Sequence, residues 1–289
     1  MQNLSDIDLV SRAKMTLMKG GVGVGKSVAA ASYPKPMFIC DFDRRIASIR
    51  KLFPHEKEIY FETYTSYKKF AEDFDRICDS APYKTVVLDS LTNLVELIID
   101  YFVKLRGGTT LENMEEEAEE NRKQKKKGKM KGILSMTTIE DYSAETRALS
   151  EILVNSKVLA ERKVNIILTA HIITTVSTNI KTGSNTIEKF LLTYGKKAAG
   201  KIPTVFDEIY HFSTKSSIDT SQGLMYEVNT SNDGDDFARS SFHLPSSINW
   251  TDKNFYNEIF KYFSIVKDSP MEEVPENLGE SVISVNNIL

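Results

Sequence analysis

The sequence predicts an α/β fold: a mostly parallel central sheet flanked by helices, with antiparallel strands added toward the C-terminus. Three observations carry that expectation. Short apolar runs alternate with longer segments of helical pattern, as successive βαβ units require. A glycine-rich stretch, "GGVGVGKSVA", sits between the first such run and an alanine-rich segment. Another run, "TVVLDS", ends on an aspartate, the placement expected at the carboxyl edge of a parallel sheet, where ligands bind.

The elements follow in order. "AKMTLM" reads as a first strand, "KSVAAASY" as a helix, "PMFICDF" as a second strand and "SYKKFAEDFDRICDS" as a second helix. "KTVVLDS" is a third strand, and "LTNLVELIIDYFVKL" a long helix after it. A polar, low-complexity insertion over 106–138, with "EEEAEENRKQKKKGKMK" at its centre, has too little apolar content for core and is expected as a surface loop or extended helix. "EDYSAETRALSEILVNSKVLAERK" returns to helical spacing and leads into the buried strand "VNIILTAH", which ends on His171. From Ile172 to Lys201 the chain turns irregular, with "VSTNIKTGSNTIEKF" readable as a hairpin turning at "KTGSN". "DEIYHFST" and "GLMYEVNT" are strands, "SNDGDD" a turn, and "WTDKNFYNEIFKYFSIV" a last amphipathic helix. The acidic, proline-broken remainder, 267–289, is expected as a disordered tail, leaving one domain over 1–266.

Composition bounds the function. The chain has 289 residues, 41% hydrophobic and 27% charged, enough for a sizeable core in one elaborated domain. A net charge of −3 gives no overall basic field, so any nucleic-acid contact must come from local patches. Cys40 and Cys78 are too few for a disulfide framework and form no CxxC or Cys/His cluster, which points to a reducing compartment. No leader pattern opens the chain, and runs such as "LVELIIDYFV" fall short of the roughly 18 apolar residues of a membrane span. The expectation is a soluble cytoplasmic protein without a membrane partner.

The glycine-rich stretch fits GxxxxGK[ST] from Gly20 to Ser27, directly after a strand and opening a helix. A phosphate chain is wrapped by backbone N–H groups, and side chains would block that approach, so Gly20, Gly21, Val22, Gly23, Val24 and Gly25 form the loop. Lys26 reaches the β- and γ-phosphates, Ser27 supplies a hydroxyl to Mg2+, and Val28 continues into the helix. The bland alternative is a flexible glycine turn. Such a loop predicts a strand-end carboxylate that holds magnesium through water, and Asp89 supplies it. Asp89 could instead cap the helix beginning at Leu91, a task that Ser90 performs equally well. Asp41 and Asp43, in "FICDFDRR", are candidates to orient water, or else turn and N-cap residues. His171 is a candidate γ-phosphate sensor or a structural histidine.

Charge runs remain open at this level. "RKQKKKGKMK" is either a DNA-contacting arm or a solvated segment in which Glu119 pairs with Lys123. Tyr142 and Tyr194 either stack on bases or belong to core and rim.

The order of a Walker A loop, a strand ending "CDFD", a Walker B strand "VVLDS", a long helix into "NIILTAH", a polar hairpin loop and "GKKAAGKIPTVFDEIYHF" resembles the RecA-like P-loop ATPases. More narrowly it is similar to phage-encoded single-domain nucleotide-binding proteins of AAA-ATPase type, implicated in single-strand annealing and recombination. The resemblance spans about Ala13 to Val266 and implies a RecA-like P-loop NTPase core with ATP and Mg2+ as cofactors. It places Asp43 where the family carries a catalytic glutamate; the shorter side chain implies slow hydrolysis or a switch driven mainly by binding. It makes His171 the polar sensor, and assigns single-stranded DNA contact to the loop from Ile172 to Gly200, with Lys196, Lys197 and Lys201 on the phosphates. It also implies a homo-oligomeric ring or filament, with Arg239 as a finger into the neighbour's ATP site, and a single-strand-binding or other recombination protein as partner. If the chain is phage-encoded, its compartment is the host cytoplasm.

The function expected is an ATP- and Mg2+-dependent ATPase, stimulated by single-stranded DNA, in recombination, annealing or repair. Two alternatives stand beside it: a nucleotide-gated protein-binding adaptor with little turnover, and a P-loop kinase.

Overall fold

The computed structural model describes residues 13–105, 139–178, 185–193, 195–216, 224–232, 237–242, 244–250 and 254–268. The charged insertion, most of the "KTGSN" and "SNDGDD" turns, Tyr194 and nearly all of the acidic tail lie outside them.

Strands β1 (Met15–Gly20), β2 (Met37–Asp41), β3 (Ile59–Thr63), β4 (Thr85–Asp89), β5 (Asn165–Thr178), β6 (Asn185–Leu191), β7 (Glu208–Ser216), β8 (Leu224–Asn229) and β9 (Ser247–Trp250) form the sheet. Its order is β3-β2-β4-β5-β1-β7-β8-β9, with β6 paired to β5. The pairs from β3 across to β7 are parallel, and those of β7 with β8, β8 with β9 and β5 with β6 are antiparallel. This is the α/β architecture the sequence predicts, with β5 inserted between the glycine-loop strand β1 and the Asp89 strand β4.

Helices α1 (Lys26–Ala31), α2 (Ile46–Leu52), α3 (Tyr67–Ser80), α4 (Leu91–Leu105), α5 (Ile139–Glu161), α6 (Lys196–Lys201) and α7 (Phe255–Asp268) connect and cover the strands. Because neighbouring strand residues face opposite sides, the sheet feeds two cores. Val86, Leu88, Ile166 and Leu168 pack with Phe70, Phe74, Leu94, Ile98 and Leu149 of α3, α4 and α5. Val87, Ile167 and Met18 pack on the other face with Ala29 and Ala30 of α1 and Phe255 and Ile259 of α7. Each fully buried side chain of leucine or phenylalanine size contributes about 1.5–3 kcal/mol. No helix among the described residues is long and apolar enough to cross a membrane.

Four expectations are corrected. Residues 46–52 and 59–63 form α2 and β3, two elements absent from the sequence-based order; β3 is an edge strand whose middle residues are exposed, so its apolar pattern is weak. His171 does not end its strand: β5 runs on to Thr178 and, beyond the main sheet, pairs with β6 as a ribbon. Lys196 to Lys201 are helical, not irregular. Trp250 belongs to β9 and not to the last helix, since Ile248 and Trp250 alternate inward with period two and α7 begins at Phe255.

Candidate nucleotide site

The site lies at the carboxyl ends of the parallel strands, on the α1 face of the sheet. Alternation sets its membership: Val87 and Ile167 face α1, so Asp89, Thr169 and His171, at even steps beyond them, emerge on the same side. Register brings them level. His171 pairs with Gly20 across β5 and β1, and Asp41 with Asp89 across β2 and β4.

The loop from Gly20 to Ser27 turns from β1 into α1, and glycine is required at both ends. Gly20 has φ of 152°, and a Cβ there would lie 2.3 Å from the Phe212 carbonyl oxygen on β7. Gly25, at φ 89°, starts α1; a Cβ there would meet the Trp250 ring at 2.8 Å. Between them Val22 and Gly23 form the exposed tip beside the half-buried Gly21, while Val24 anchors the loop in the core.

Lys26 is buried, and its Nζ donates to the carbonyls of Gly20 at 3.1 Å and Gly21 at 2.6 Å and lies 3.5 Å from His171 Nδ1. Burial lowers its pKa to about 8, against the opposing pull of the Asp89 and Asp43 charges. Asp89, only 6% exposed, accepts hydrogen bonds from the hydroxyls of Thr169 and Ser27. Burial raises its pKa, the charges of Asp43 and Asp41 add to the rise, and the two hydroxyls oppose it. The Asp89–Ser90 peptide is cis.

Asp43 lies two residues past β2 and accepts from Ser90 Oγ at 2.7 Å and Asn93 Nδ2 at 2.9 Å. His171 Nε2 stands 3.8 Å from its Oδ2, beyond direct hydrogen-bond distance. Burial pushes this carboxyl up, but His171, Ser90 and the charge of Arg45 together outweigh it and hold it below the ordinary range. Asp41 has a different task. Its buried carboxylate accepts from the backbone N–H groups of Arg45 and Ile46 and from the Thr63 hydroxyl, so it fixes the entry to α2.

Lys26, Ser27, Val28, Asp43, Asp89 and His171 share one cavity of about 530 Å³ with Arg44, Arg45, Ala47 and Ser48 on the α2 side and Tyr226 of β8. That volume suits a ligand of nucleotide size. Among the described residues no group of three or more His, Cys, Asp or Glu side chains could hold a metal unaided. The hydroxyl of Ser27 beside the Asp89 carboxylate does suit Mg2+, a hard ion that completes its shell with phosphate oxygens and water.

The remaining candidates lie elsewhere. Lys201 is exposed at the end of α6; Lys196 and Lys197 open that helix, their side chains outside the described residues. Tyr142 is half-buried on α5. Arg239 pairs through its backbone with Ile209, and its guanidinium donates to the carbonyls of Pro203, Thr204 and Phe206 of its own chain. Sequence reasoning missed Thr169, Asn93, Tyr226 and the Trp250 brace. Thr169 alone carried a signal, standing two residues before His171 on an alternating strand.

A family model described as AAA domain matches residues 12–234, more than half of the chain. The structure is similar to that of the flagellar accessory protein FlaH from Methanocaldococcus jannaschii, with a TM-score of 0.43 and 10% identity over 86% of this chain and 92% of that one. No curated protein matches the chain.

Proposed function

The chain belongs to the AAA domain family, and on that premise we propose that it is an ATP- and Mg2+-dependent ATPase of RecA-like build that binds single-stranded DNA in recombination, annealing or repair. The observation that carries the proposal is the meeting of Lys26, Asp89, Asp43 and His171 at one cavity behind the glycine loop.

Each residue has a distinct task in this reading. The loop N–H groups and the start of α1 face the phosphate chain, and Lys26 turns its donors from the carbonyls of Gly20 and Gly21 to phosphate oxygens. Ser27 and Asp89 would hold Mg2+, which, when bound, neutralises charge on the β- and γ-phosphates. Thr169 keeps the Asp89 carboxylate aimed. Asp43, fixed by Ser90 and Asn93, orients the attacking water; with its pKa lowered it is a weak base, so turnover is slow.

His171 links this chemistry to the ribbon. Its ring stands between Lys26 and Asp43, and its carbonyl accepts from the Leu192 N–H at 2.9 Å, where the chain returns from β6. The β5–β6 ribbon presents Ile173, Val176 and Phe190 to solvent, and Phe190 offers a ring on which a base can stack. Lysines of α6 supply phosphate contacts. Binding of a labelled oligonucleotide, followed by anisotropy with ATP, with ADP and with Lys26→Ala protein, tests the link. Nucleotide-independent binding, identical in the variant, would contradict it.

A second reading, a nucleotide-gated adaptor with little turnover, is favoured by the short side chain of Asp43, whose carboxyl is held below its ordinary range. Steady-state hydrolysis well above the spontaneous rate eliminates it. The oligomer and the recombination partners belong to the proposal as well, and nothing in it rests on Arg239.

A further inference from the structure

We propose that Arg44 grips the terminal phosphate of a nucleoside triphosphate from the α2 side of the cavity, making the site selective for tri- over diphosphate. The inference rests on the nucleotide reading above.

Arg44 is set in place from both sides. On one, the buried Asp41 carboxylate holds the backbone N–H groups of Arg45 at 3.1 Å and Ile46 at 3.4 Å. On the other, Asp43 is held by Ser90 and Asn93. Between the two anchors Arg44 adopts φ of 56°, a left-handed conformation that disfavours any residue with a Cβ and that glycine or asparagine would occupy more easily. Local strain of this kind persists where the surroundings over-determine it.

The charges of the cavity are otherwise matched. Lys26 feels both Asp89 and Asp43, and Arg45 acts on Asp43. Among the described residues the Arg44 guanidinium makes no hydrogen bond or ion pair, and Arg44 is one of the residues lining the same cavity as the glycine loop. A planar fork of five donors matches phosphate oxygens bidentately. Its neighbour Asp43 stands beside His171, which stands beside Lys26, the end of the loop where the last phosphate of the chain belongs.

The test is the affinity of the full-length protein for ATP and for ADP, by displacement of a fluorescent nucleotide, in wild type, Arg44→Ala, Arg44→Lys and Arg44→Gly, with thermal melting of each. Wild type should prefer ATP. Arg44→Ala should weaken ATP by about 10–100-fold, the range for removing a charge-assisted hydrogen bond, and ADP by less than about threefold. Arg44→Lys should recover part of that affinity. Arg44→Gly should lose the preference while melting at or above wild type, because glycine accepts φ 56° without strain. That pairing separates a ligand contact from a folding defect. An ATP-to-ADP ratio unchanged in Arg44→Ala and Arg44→Gly overturns the inference, as does equal affinity of wild type for the two nucleotides. Wild type that binds neither nucleotide overturns the cavity reading itself, and this inference with it.

Discussion

Lys26 Nζ stands 3.5 Å from His171 Nδ1, so the base of α1 and the point where β5 leaves the main sheet meet through two side chains. Whatever binds Lys26 therefore acts next to the root of the ribbon. A change at the phosphate end of the cavity reaches the proposed DNA face through a single imidazole.

The lowered pKa of Lys26 makes nucleotide affinity pH-dependent. Below about pH 8 the lysine is charged and binding needs no proton; above it the free protein holds a neutral amine that must gain one as phosphate binds. ATP affinity should thus be flat below that point and fall by up to about tenfold per pH unit above it. Titrations from neutral to alkaline pH check this, and a flat profile contradicts it. The sign for stability is the reverse: a buried base with depressed pKa destabilises the fold most at low pH and is relieved as pH rises from about 8 toward its ordinary value.

Asp89→Asn should abolish Mg2+-dependent turnover, since it removes the charged oxygen that pairs with the ion. Thr169→Val keeps the carboxylate but deletes one of its two hydroxyl donors, so it should raise the Mg2+ needed for half-maximal hydrolysis by about 5–30-fold. A magnesium titration of each variant separates ligand from support. Equal behaviour of Thr169→Val and wild type would remove Thr169 from the site.

The site was legible from sequence in proportion to how locally its geometry is encoded. The glycine loop and Asp89 are written in contiguous residues, because a strand, a turn and a helix start need no distant partner. Asp41 and Asp43 look alike in "FICDFDRR"; only the packing of Thr63 from β3, and of Ser90 and Asn93 beyond β4, gives one to structure and the other to the cavity. β9 has four residues and α2 seven, too short for a period to show. The brace under Gly25 had no local signal, since Trp250 comes to it through three antiparallel strands at the far end of the sheet.

Gly25→Ala should destabilise the fold by about 2–4 kcal/mol, combining a left-handed backbone with a clash against the Trp250 ring. Trp250 packs edge-on against Phe212 and at a tilt against Tyr226, which limits its retreat. Denaturant unfolding measures the change. In a Trp250→Phe background the same substitution should cost less, and strict additivity would show that the two do not touch.

Replacing Lys196, Lys197 and Lys201 together should weaken single-stranded DNA binding and flatten its salt dependence, by about 0.7 log–log units for each phosphate no longer neutralised. An unchanged slope would move the DNA contact away from α6.

The most direct test of the central claim is ATP hydrolysis by the purified protein with and without single-stranded DNA, with Lys26→Ala as the blank. Slow turnover that DNA accelerates, and that vanishes in the variant, is the predicted result. Turnover indifferent to DNA would leave the nucleotide site standing and contradict its coupling through His171 to the ribbon; turnover surviving in Lys26→Ala would contradict the site itself.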